Sequence, residues 1–220
     1  MRAERSPYVG PGAVDTPRCR LAVLLTAVML GLLGVAMMSP ATASAQEQTY
    51  VIATDTTFAP FEFQDAQGNF VGIDMDLIRA IAEDQGFNVD IKPLGFDAAL
   101  QAVQANQVDG VIAGMSITDE RKQVFDFSEP YFESGVQMAV LEDNEDVKSY
   151  EDLRGRRVSV KNGTQGSDFA NSIKDQYGFE VVSFADSSTL FDEVKTGNSA
   201  AVFEDYPVLL YGIAQGNGFK

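Results

Sequence analysis

Gly114, Ser116 and Arg121 are the side chains of this sequence best suited to hold one small anion. All three lie in the stretch VDGVIAGMSITDERKQVFDFSEPYF, from Val108 to Phe132. A glycine leaves bare backbone, a serine adds a hydroxyl, and an arginine offers a rigid fork of donors that matches a planar carboxylate. Val111 to Ala113 reads as a short apolar strand that delivers Gly114 and Ser116. Thr118 reads as a helix start with Arg121 in its first turn, followed by a second short strand leading to Ser128. Taken alone, Arg121 serves equally as a solvated or salt-bridged helix residue.

Other chemistry is excluded by composition. The chain has no histidine, and its single cysteine, Cys19, lies near the N-terminus. Common nucleophile–base pairs and zinc sites therefore have no ligands to draw on. Carboxylate-only chemistry or an oxygen-ligand metal site stays open, although no Asp/Glu spacing reads as an EF-hand loop. No cofactor and no metal is expected.

The first 45 residues read as an export signal. Arg18 and Arg20 precede an uncharged run from Leu21 to Met38, and ATASAQ supplies an Ala-x-Ala site at Ala43 and Ala45. Eighteen apolar residues are barely enough to span a bilayer, so a membrane anchor is the competing reading. Cleavage after Ala45 would leave 175 residues with twelve basic and thirty acidic side chains, a formal charge of -18. Such a surface repels nucleic acid and anionic lipid. An exported, cysteine-free chain relies on packing for its stability.

The elements that must position the anion site come in two similar groups. Tyr50–Ala53, Val89–Leu94 and Val111–Ala113 read as strands. They alternate with helices over about 74–85, where Leu77, Ile78, Ile81 and Ala82 share a face and Gly86 ends the run, and from Asp97, burying Leu100 and Val103. After a strand-like crossing at Gly135–Leu141, a possible capping box at Ser149 and Asp152 precedes the second group. Strands at Arg157–Val160, Glu180–Phe184 and Ala200–Phe203 then alternate with helices carrying Phe169 and Ile173, and Leu190 and Val194. This is an α/β pattern with parallel strands. Ligands of open α/β sheets sit beyond the carboxyl ends of strands. Asp55, Gly114 and Ser116 occupy such ends in the first group, and Lys161–Gly166 and Asp205 do so in the second. Two halves facing each other would bring them to one cleft.

The chain also resembles a known family. TDTTFAPFEF at 54–63, GNFVGIDMDL at 68–77, the SITDERKQVFDFSEPYF run, DLRGRRVSVKNGTQG at 152–166 and AAVFEDYP at 200–207 stand in register with the bacterial extracellular solute-binding proteins, family 3, which feed polar amino acids to ABC importers. The resemblance implies a binding protein, not an enzyme, with a two-lobed, hinged periplasmic-binding-protein fold of type II. Expected boundaries are a signal peptide at 1–45, a first lobe at 46–136, a second lobe at 137–211, and the start of a return crossing at 212–220. Relatives normally continue beyond the position of Lys220, so the first lobe is expected to be incomplete, with an uncovered sheet face.

Carried over position by position, the resemblance gives each residue a role. Arg121 and Ser116 hold an α-carboxylate, with backbone N–H groups at Thr164, Gln165 or Gly166 approaching from the second lobe. Asp205 takes the α-ammonium with help from the Gly114 carbonyl, and is also placed to cap the following helix. Phe58 and Phe96 form aromatic walls, while Phe61 and Phe63 pack. Asp55 reaches the side-chain end of the pocket. Lys161 matches a lysine of the glutamine-binding branch and favours glutamine or another neutral polar amino acid. Asp55, Glu204 and the two rings favour arginine, lysine or histidine as the alternative. The implied partners are a free L-amino acid and importer permease subunits, with the protein an extracytoplasmic or periplasmic monomer. A truncated, non-transporting product and a prephenate-type lyase using Glu204 are the readings of another class.

Overall fold

The structure is a computed structural model in which residues Gln48–Lys220 are described. The export signal read at 1–45 lies outside the described residues. Three sheets organise the rest. The first is parallel, with β1 (Thr49–Thr54) between β5 (Asn88–Pro93) and β6 (Gly110–Val111). The crossovers are α1 (Ile73–Gln85) and α2 (Phe96–Gln104). A small antiparallel sheet of β2 (Thr57–Phe58), β3 (Glu62–Gln64) and β4 (Phe70–Val71) is inserted after β1.

The larger sheet has the order β7 (Val136–Ala139), β10 (Ala201–Asp205), β8 (Arg157–Lys161), β9 (Glu180–Phe184). Its pairs are parallel except β7 with β10. Helices α3 (Gln165–Tyr177), α4 (Ser187–Lys195) and α5 (Tyr206–Ala214) each follow one of its strands. The last residues, which the sequence reading assigned to a return crossing, leave α5 and lie antiparallel to Val140–Glu142 beside β7.

Local sequence explains most boundaries. Gly86 and Gly178 end α1 and α3 in the left-handed conformation, at φ of 72° and 73°, which an L side chain rarely adopts. Thr164 opens α3 by accepting the Ser167 N–H, and Asp186 opens α4 by accepting the Thr189 N–H. The box at Ser149 and Asp152 is present at the start of a short 3-10 turn.

Three expectations give way. The third strand spans Gly110–Val111 rather than Val111–Ala113, although Ile112 still donates its N–H to the Ala53 carbonyl before the chain turns toward Gly114. The helix expected from Thr118 is a 3-10 turn over Arg121–Gln123, with the Thr118 hydroxyl accepting the Arg121 N–H. Residues 125–128 form no strand, since no ladder partner lies alongside them.

Packing is uneven. Two buried apolar clusters, one around Phe203, Leu153 and Val160 and the other around Leu190 and Leu209, flank the larger sheet. The first sheet is covered more thinly. Of the exposed large apolar side chains among the described residues, Ile73, Ile81, Leu94, Ile117, Val124, Tyr131 and Phe132 lie between residues 73 and 132, and Leu210 on α5 lies outside that stretch. Ile81, read as part of the buried face of α1, is among them; Met75 and Ala82 are the apolar side chains that this helix buries. A third cluster joins Phe58 and Phe61 to Val208 on α5, so the two halves share apolar contact.

Candidate functional site

Strand ends determine what can meet in this fold. β1 ends into Asp55, β6 leads to Gly114, β8 ends at Lys161 and β10 at Asp205. The α3 N-terminus brings Thr164 and Gln165 to the same place. All the sequence-predicted residues except Gly166 line one small pocket, and Ala113 joins them. That space is about 10 Å³, enough for about one water molecule and too small for an amino acid.

Side chains from both halves fill it. Lys161 is the largest fully buried side chain of the described residues and forms an ion pair with Asp55; each is 1% exposed. Its ammonium also donates to Ser187 Oγ at 3.3 Å and stands 5.1 Å from the Phe58 ring centroid. Ser187 Oγ in turn donates to Glu204 Oε2 at 3.1 Å. Burial pushes the Glu204 pKa up to about 7, against the nearby Lys161 charge, which lowers it.

At the other end, Arg121 spans the cleft. It donates from Nη1 to the Ser116 carbonyl at 3.0 Å and from Nη2 to the Gly163 carbonyl at 2.8 Å, with its guanidinium 5.7 Å from the Phe96 centroid. Both prongs expected to hold a carboxylate are thus engaged by backbone oxygens. Burial pulls the guanidinium pKa below its usual value, opposed by Asp168, Asp205 and Glu120.

Asp205 stands at the N-cap position of α5 but makes no side-chain cap bond. Its Oδ1 accepts from the Ser134 hydroxyl at 2.6 Å instead, so the capping role read from sequence is absent. Burial raises its pKa, with Ser134, Arg121 and Lys161 pulling the other way.

Gly114 is held in the left-handed conformation at φ 53°, and a Cβ there would lie 2.6 Å from Phe58 Cε1. Backbone and aromatic wall are therefore in close register. Gly166 lies one step back from the cavity. A Cβ on it would sit 2.7 Å from the Phe203 carbonyl oxygen, so its service is the close approach of α3 to β10.

Sequence reasoning passed over Ser134, Ser187 and Thr57. Thr57 Oγ1 accepts the Ser187 N–H at 3.0 Å, joining the two halves across 130 residues of chain. Ser187 could have been found, because it follows strand β9 as the other site residues follow theirs. Ser134 and Thr57 carry no comparable mark.

Residues 50–202 match the sequence profile of the bacterial extracellular solute-binding proteins, family 3. The chain belongs to this family. Among curated relatives, the arginine-binding extracellular protein ArtP of Bacillus subtilis (strain 168) is 31% identical over 70% of this chain, and the chain spans 60% of that relative's length. Among solved structures, an ancestral arginine-binding protein bound to arginine aligns with TM-score 0.74 and 40% identity, over 79% of this chain and 78% of the other. The ancestral arginine-binding protein bound to glutamine aligns with TM-score 0.73 and 41% identity, over 79% and 77%. The family-3 fold is the two-lobed α/β arrangement that the strand order describes.

Proposed function

We propose that this chain is the extracytoplasmic substrate-binding component of an ABC importer. It takes a polar L-α-amino acid between its lobes, glutamine before others. One observation carries the reading: the cleft gathers charges in complementary order. Arg121 stands at one end, Asp205 beside it, and the neutral Asp55–Lys161 pair lies beyond. A zwitterion needs a cation for its carboxylate and an acid for its ammonium. A side chain that meets an already neutralised pair is best uncharged and able both to donate and to accept, as an amide is. The family supports the binding role, and its exported members support the location and the permease partners.

A cationic ligand is the second reading, favoured by a different observation. The place beside Asp55 and the Phe58 ring already holds a cation, the Lys161 ammonium. An arginine or lysine side chain reaching the same place would substitute for it. Among the similar solved structures, an ancestral arginine-binding protein is bound to arginine and an ancestral arginine-binding protein is bound to glutamine, so both ligand classes occur on this fold.

Calorimetry with all twenty amino acids, on the parent and on Lys161→Ala, separates these readings. Glutamine is expected to bind the parent and to bind Lys161→Ala more weakly, since a donor to its amide oxygen is gone. A parent that prefers arginine, with binding strengthened in the variant, gives the second reading. A folded parent that takes up none of the twenty refutes both.

A further inference from the structure

Two carboxyl groups are buried together behind Gly114. Glu62 on β3 and Asp74 in the first turn of α1 are both 0% exposed. Among the described residues neither oxygen of Glu62 has a donor group to bond with, and Asp74 Oδ1 has none either. The side chain within hydrogen-bonding reach of Glu62 is Asp74 itself. Asp74 Oδ2 is fully used: it accepts the Gly114 N–H at 2.8 Å and the Tyr131 hydroxyl at 3.0 Å. The backbone prevents the two acids from separating, because Ile73 N–H donates to the Pro60 carbonyl and Asp74 N–H to the Phe61 carbonyl.

Two ionised carboxylates in contact away from water repel each other and leave acceptors unsatisfied; one shared proton removes both problems. Asp74 is the better carboxylate of the two, since it accepts two donors and Glu62 accepts none. We propose that Glu62 is a neutral carboxylic acid that donates its proton to Asp74 Oδ1, and that this pair is a positioning device for Gly114. By holding the Gly114 N–H, Asp74 keeps that residue left-handed and its backbone against the Phe58 wall. By holding Tyr131, it ties the same point to the segment that carries Ser134, the partner of Asp205.

The charged and titratable groups that face Glu62 agree with a neutral state. Burial is the main cause that raises its pKa well above the carboxylate range. Asp74 on α1 and Asp55 after β1 add to this, and only Lys161 on β8 opposes it. Much of the Tyr131 side chain is exposed, but its hydroxyl end is enclosed beside Asp74; that enclosure first, and then the Asp74 charge, push its pKa up, so it stays a donor.

The positioning role rests on the cleft being the binding site, and three measurements keep the two claims apart. Infrared spectra at neutral pH are expected to show the carbonyl stretch of a buried carboxylic acid that Glu62→Gln lacks. Its absence from the difference overturns the proposal. Glu62→Gln keeps a donor to Asp74, whereas Glu62→Leu does not. Amide exchange at Gly114 is therefore expected to be faster in Glu62→Leu than in Glu62→Gln, with or without ligand, and equal exchange in both overturns the positioning role. Glutamine calorimetry across rising pH is the third readout. The parent is expected to lose affinity relative to Glu62→Gln by at least about tenfold once Glu62 ionises. Their ratio cancels titration of the ligand's own ammonium, and a flat ratio tells against the pair. No glutamine heat at any pH, with the infrared band and the exchange difference both present, removes the glutamine assignment and leaves the proton-sharing pair standing.

Discussion

Arg121 does two jobs with one guanidinium. Its prongs hold carbonyls from both halves, Ser116 and Gly163. A bound carboxylate would replace these neutral acceptors with a charged one, which forms shorter and stronger bonds. Arg121→Ala is expected to weaken amino-acid binding by more than about 100-fold, as two charge-assisted bonds at roughly 1.5–3 kcal/mol each would imply. Arg121→Lys is expected to rescue little of this, because a point charge lacks the planar fork. Calorimetry on a variant shown by circular dichroism to be folded is the check, and binding within a few-fold of the parent would reassign the anion site. Lys161 and Asp55 make a different point at the same scale. Breaking a buried pair strands a charge, so a change at either residue alters the pocket and the stability of closure together.

At the scale of elements, the site is the meeting of a helix start with several strand ends. α3 can aim its first N–H groups at the cleft only if it lies close on β10, and Gly166 permits that approach. Gly166→Ala would place a methyl 2.7 Å from the Phe203 carbonyl oxygen. The variant is expected to lose about 1–3 kcal/mol of stability in urea titration, the usual range for overpacking. An unchanged midpoint would show that α3 shifts freely. Thr164 is worth roughly 1 kcal/mol as the cap of the same helix, through its bond from Ser167 N–H and its own donation to the Lys161 carbonyl. Cap and cavity wall are one residue here, so helix integrity and site geometry fail together.

For the whole molecule, buried acids give the stability an unusual pH dependence. Glu62, Glu204 and Asp205 all have folded pKa values above their ordinary ones, each mainly because of burial. A group raised in the folded state favours folding below its unfolded pKa, and that contribution is lost as pH rises through the folded value. For Glu204 the window runs from about 4.5 to about 7. The formal charge of -16 adds self-repulsion in the same direction as carboxylates ionise. Asp65 and Asp152 are lowered by local hydrogen bonds and act the opposite way, but Asp152 is exposed and Asp65 only half-buried. Denaturant midpoints are therefore expected to fall between about pH 5 and pH 8. Glu204→Gln is expected to flatten part of that slope. A parent curve that rises through this range would contradict the burial of these acids.

The sequence by itself determined the chemistry available and where along the chain it stands. Missing histidine removed whole reaction classes, alternating apolar runs marked strands and helices, and residues just past strand ends named most of what lines the cleft. These signals are local, because hydrophobic period and capping depend on neighbours within a few residues. Only the tertiary structure decided partners. That Lys161 turns inward to Asp55, 106 residues away, and that Ser134 rather than the α5 backbone takes the Asp205 carboxylate, depends on which strand ends face one another. Glu62 and Asp74 show the difference most plainly. In sequence they are two acids in ordinary turn and helix-start positions. Folding removes their water and leaves each as the other's neighbour, and that enclosure, which no local pattern encodes, makes one proton between them the lower-energy state.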